Sequence, residues 1–99
     1  MLKRWQRRQQ RKKWLLERQT FARERQQVDD RLHDPIEDDP NFEHAILEAE
    51  RLANEELAGV ERGRGFCHKY WRTKQRILCD RFHVEWFPPS EMNPESFFD

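Results

Sequence analysis

The chain has 99 residues, of which 35% are hydrophobic and 38% charged, so it holds material for one small domain with a modest core and little beyond that. Its net charge of zero conceals a segregation. Residues 1–26 carry ten Lys/Arg against two acids, residues 27–58 eleven acids against two Arg, and residues 59–99 seven basic against six acidic side chains. No run approaches the ~18 apolar residues of a membrane span, and there is no apolar stretch of the kind a secretory signal needs. Two cysteines are too few for a disulfide framework, so a reducing cytoplasmic setting is expected.

Residues 2–28 contain no Gly or Pro and consist largely of Arg, Lys, Gln, Glu and Leu, which predicts one long helix. Its apolar face is thin. Trp14, Phe21 and Val28 recur at seven-residue spacing with Leu15, Leu16 and Ala22 beside them, and before Trp14 there are only Met1, Leu2 and Trp5. The second half of this helix is therefore expected to dock and the first half to project. Residues 29–40 hold two prolines and six acids and read as an acidic linker. Asp39 then supplies an N-cap and Pro40 suits a first helical position, opening a second helix. Phe42, Ile46, Ala49, Ala53 and Leu57 form its apolar stripe, and glutamates line its other side.

Gly63-Arg64-Gly65 makes a joint before a third helix, predicted from Phe66 to Phe82. Phe66, Cys67, Tyr70, Trp71, Ile77, Leu78 and Phe82 give it a broad apolar face, and Lys69, Arg72 and Arg76 line its other side. After His83 the run Val-Glu-Trp-Phe-Pro-Pro cannot continue as a helix past Phe87, Ser90 is placed to cap one more turn, and Phe97 and Phe98 are expected to pack back on the body. The expected fold is all-α: a basic helical arm over 1–28, an acidic Pro-containing linker over 29–40, and a helix pair with an aromatic core and an extended C-terminal tail over 41–99.

The sharpest functional signal is the run Lys3, Arg4, Trp5, Arg7, Arg8, Arg11, Lys12, Lys13 and Trp14, interleaved with Gln6, Gln9 and Gln10. Cations at this density neutralise phosphates and release condensed counterions. Arg and Gln can read base edges, and the two Trp offer stacking planes for unpaired bases. In composition, residues 3–25 resemble the arginine-rich helical peptides of some viral and phage RNA-binding proteins. That resemblance implies a nucleic-acid contact, with RNA preferred to DNA. Arg62, Arg64, Lys69, Arg72 and Arg76 form a second basic group beside the Gly-rich joint. Two other readings compete. The basic helix can lie along the acidic second helix as a charge zipper, each surface ion pair contributing only about 0–1 kcal/mol. Alternatively, the acidic helix and exposed aromatics can serve a protein-binding adaptor or inhibitor, or self-association.

Cys67, Cys79 and His83 superficially resemble a zinc pattern. On one continuous helix, however, the two cysteines stand about 18 Å apart at ~1.5 Å per residue, too far for tetrahedral ligation. Both are expected on the apolar face. No nucleophile with an orienting base, phosphate-cradling Gly loop or metal-carboxylate motif is found, so neither enzymatic activity nor a cofactor is expected.

Overall fold

The computed structural model describes residues 3–26 and 31–98, and every regular element among them is helical. Helix α1 spans Arg4–Arg25, α2 Glu43–Glu56, α3 Phe66–Phe82, and α4 is a single turn at Pro89–Met92. The chain is all-α, as its composition and periodicity predict. Asp39 opens the second unit in the expected way. Its carboxylate accepts from the Asn41 N–H at 2.9 Å, and Pro40 begins a 3-10 turn (Pro40–Phe42) that runs straight into α2.

The helix pair packs through small residues. Ala49 and Ala53 are fully buried, which lets α3 approach closely, and Ile46, Ile77, Leu78 and Trp86 close the core around them. A polar pair lies within it: Lys74 is buried, with its Nζ 2.9 Å from Glu50 and 4.3 Å from the centre of the Trp86 ring. α3 starts after Gly65, whose φ of 83° suits a residue without a Cβ. It ends at His83, also left-handed at φ 55°, where the His83 and Val84 N–H groups bond to the Cys79 and Leu78 carbonyls. Glycine is the usual residue for such a helix closure, and here a histidine occupies it.

Beyond His83 the chain runs without helix to Pro88, and adjacent side chains of an extended segment point to opposite sides. Trp86 enters the core of the helix pair. Phe87 enters a second cluster with Ala22 and Met92, flanked by Leu15 and Leu32. The 84–92 segment thereby joins α1 to the helix pair.

The face that α1 presents differs from the expected one. Trp14 and Phe21 are 37% and 45% exposed, and Val28 lies outside the described residues. The docked face is Arg11, Leu15, Arg18, Gln19 and Ala22. Apolar spacing misses this register because the surface that receives α1 is largely polar. The Asp34 carboxylate, completely buried, accepts from Arg18 Nη1 at 2.7 Å, from the Phe87 N–H at 2.9 Å and from the Ile36 N–H at 3.1 Å. Buried Gln19 donates to the carbonyls of Glu91 and Met92, both at 3.3 Å. The Asn93 amide brackets the Leu32 backbone from both sides, at 2.8 and 2.7 Å. The acidic connection is thus packed into the body over 31–42. The charge zipper is not formed among the described residues: α1 meets the 3-10 turn at Pro35–Asp38 and α4, and no ion pair joins it to α2.

Of the two terminal phenylalanines, Phe98 packs edge-on against Trp71 with ring centres 5.3 Å apart, and Phe97 stays 85% exposed. The extra turn forms at α4, started by Pro88 and Pro89 instead of Ser90.

Asp34→Ala would leave the Arg18 guanidinium and the Phe87 N–H without their acceptor. The expected loss is roughly 3 kcal/mol, measured as a fall in the urea midpoint at unchanged slope. A change below about 0.5 kcal/mol would contradict this role.

Candidate nucleic-acid interface

α1 extends beyond the surface that holds it. Arg11 is the last residue of the helix gripped by the body: its Nε lies 2.5 Å from Glu85, its Nη1 2.8 Å from Glu91, and its guanidinium carbon 4.7 Å from the centre of the Phe87 ring. Burial alone would lower the guanidinium, but hydrogen bonding and charge from Glu91, then from Glu85, outweigh it and hold Arg11 above its ordinary value. From Lys3 to Gln10 every residue is exposed. Among the described residues, no carboxylate forms an ion pair with Lys3, Arg4, Arg7, Arg8, Lys12 or Lys13.

At 3.6 residues per turn these cations fall into distinct stripes. Arg4 and Arg8 continue the docked face of Arg11, Leu15 and Arg18 past the edge of the body. Lys3, Arg7, Gln10 and Trp14, at i, i+4, i+7 and i+11, run down one flank. Lys12 and Trp5 share the other side, and Lys13 faces away from the body. Trp5 is 67% exposed. The cations burden the helix they stand on: no acid offsets the positive N-terminal end of the macrodipole, and Arg4/Arg8, Arg7/Arg11 and Arg8/Lys12 are like-charge pairs at i, i+4.

The second basic group is divided. Arg72 and Arg76 line a groove of about 440 Å³ together with Arg11, Gln75, Glu85 and Glu91, so part of the α3 stripe lies beside the root of the α1 extension. Arg76 is paired with Glu56 at 2.5 Å. Arg62 and Arg64 precede α3 and Lys69 lies in its first turn, none of them lining this groove, and the Arg62 guanidinium lies 4.7 Å from the Phe66 ring centre. Sequence reasoning missed the carboxylates that sort the cations. Glu85 and Glu91 carry no sequence signal of this role, and nothing local to Arg11 distinguishes it from Arg7 or Arg8.

The exposed large apolar side chains are also redistributed. The rings of α3 are at least partly covered, while Trp5, Trp14, Leu16 and Phe21 of α1 are open, with Leu47 on α2 and Phe97 in the tail. Cys79 is exposed and not part of the apolar face, and Cys67 is half-buried, both on the unbroken α3. Among the described residues no three His, Cys, Asp or Glu side chains are grouped so as to hold a metal ion, and no helix is long and apolar enough to cross a membrane. Comparison with protein-family models, curated proteins and solved structures finds no match to the chain.

The division between gripped and open cations is directly measurable. Arg11→Glu sets a third acid beside Glu85 and Glu91 and should cost about 1–3 kcal/mol of stability, whereas Arg8→Glu should stay within about 0.5 kcal/mol. Equal urea midpoints for the two variants would show that Arg11 is not a clamp.

Proposed function

We propose that the chain is a small nucleic-acid-binding protein, a regulatory or assembly factor and not an enzyme, which lays the basic extension of α1 along the phosphates of structured RNA in preference to DNA. The observation that carries this reading is the charge on Lys3, Arg4, Arg7, Arg8, Lys12 and Lys13, with which no carboxylate forms an ion pair among the described residues. Like-charge repulsion and an opposed macrodipole both weaken this stretch of helix, and both penalties are relieved when phosphates neutralise it. Arg11 has a different role, holding the helix to the body, so the contact set is its neighbours. Arg72, beside the root of the extension, adds a cation on the same side. The preference for RNA rests on Trp5 and Trp14, because stacking on unpaired bases is the usual way single-stranded loops and bulges are recognised.

A protein-binding adaptor is the second reading, favoured by one observation. Leu47 is 58% exposed in a groove rimmed by Glu37, Asp38, Glu43 and Glu50, a surface suited to a basic amphipathic segment.

Fluorescence anisotropy with hairpin RNA, single strands and duplex DNA over a salt series separates the two. Nucleic-acid binding predicts a slope of log affinity against log salt near −4 or steeper, which corresponds to about four or more phosphate contacts. It also predicts loss of binding in the double variant Arg7→Glu/Arg8→Glu. Negligible binding at low salt would overturn the reading in favour of the adaptor, whose partner contacts that double variant should leave intact.

A further inference from the structure

We propose that the groove beside Trp14 receives a single unpaired guanine of the bound nucleic acid, an inference that rests on the reading above and adds a base-specific site to it. The groove has a volume of about 360 Å³ and lies between α1 and the chain leaving α3, with Trp14, Phe42 and Val84 as its apolar lining and Glu17, His83 and Glu85 as its polar edge.

Three features select the occupant. The first is an unpartnered ring. Trp71 is stacked edge-on by His68 and Phe98, and Trp86 is covered by Lys74, but Trp14 has no ring or cation contact among the described residues and is 37% exposed. A planar heterocycle is the ligand that such a surface takes.

The second is the charge of the polar edge. Arg18 at the groove is held by Asp34, and Glu85 is held by Arg11, which leaves the Glu17 carboxylate as an acceptor without a hydrogen-bonding partner among the described residues. A carboxylate repels phosphate and accepts N–H donors, so the base and not the backbone enters. Among the four RNA bases, guanine alone carries two adjacent N–H donors on its pairing edge, a match to the two oxygens of one carboxylate. Adenine, cytosine and uracil each place an acceptor next to their donor there, and that acceptor would face Glu17.

The third is continuity. Lys3, Arg7 and Gln10 form the flank of α1 that leads to Trp14, so a strand whose phosphates follow the two cations reaches the groove without crossing the helix. His83 stands at the rim. It closes α3 at φ 55°, where glycine would be less strained, and thereby sets an imidazole at the groove's edge.

The test uses three hairpins of identical stem, with a bulged guanine, a bulged adenine or no bulge, each titrated with the intact protein by fluorescence anisotropy at one salt concentration. The proposal expects affinity for the guanine bulge about tenfold above that for the adenine bulge. Glu17→Gln, a conservative change at an exposed position, should abolish that preference. Trp14→Ala should weaken both bulged hairpins by about tenfold relative to the unbulged one. Equal wild-type affinity for all three hairpins, or a guanine preference that survives Glu17→Gln, would overturn the groove while leaving the phosphate contacts standing. Failure of the wild type to bind any hairpin would overturn both.

Discussion

The carboxylate of Asp34 takes hydrogen bonds from three parts of the chain: the Arg18 guanidinium of α1, the backbone of Phe87 and the backbone of the adjoining 3-10 turn. A buried charge tolerates no loss of partners, so these bonds set the rotation of α1 more firmly than its sparse apolar residues could. Arg11 lies two turns earlier on the same face. The two guanidiniums approach the ring of Phe87 to 4.7 and 4.9 Å, so one aromatic side chain serves both. The helix is gripped from Arg11 onward and free before it. Where the body ends along α1 therefore follows from the positions of Asp34, Glu85 and Glu91.

The same accounting of partners explains why the charge segregation survives folding. The acids of α2 are used close to home. Glu48 and Glu55 pair with Arg51 of their own helix, Glu50 with Lys74 and Glu56 with Arg76 of α3. Among the described residues, the carboxylates that pair with α1 come from Asp34 and from the 85–91 stretch, and they reach only Arg11 and Arg18. Equal totals of positive and negative charge thus yield a chain whose first helix is locally cationic, because the neutralising pairs are made elsewhere.

What was legible in the sequence follows from which interactions are local. The bounds of α3 could be read directly, since the Gly63–Gly65 joint precedes a clear periodic face and Pro88 and Pro89 follow it. The start of the second unit was equally plain from Asp39 and Pro40. The docking register of α1 was not legible. Periodicity counts apolar residues, and Arg11, Arg18 and Gln19 face inward toward carboxylates and carbonyls contributed from far along the chain. Asp34 was indistinguishable from its solvated neighbours in the linker, and Lys74 from the other cations of α3. Of the candidate site, the cationic run was evident from composition. The separation of Arg11 from Arg7 and Arg8 required Glu85 and Glu91, more than seventy residues away, to be seen beside it.

α1 has a gripped half and an open half, and the proposed ligand meets the open half. Amide hydrogen exchange of the intact protein, alone and with a bulged RNA hairpin, tests both halves residue by residue. Residues 15–22 are expected to be protected in both states, and residues 4–10 to exchange rapidly alone and become protected on adding RNA. Unchanged exchange over 4–10, with new protection confined to the acidic face of 37–50, would contradict this assignment.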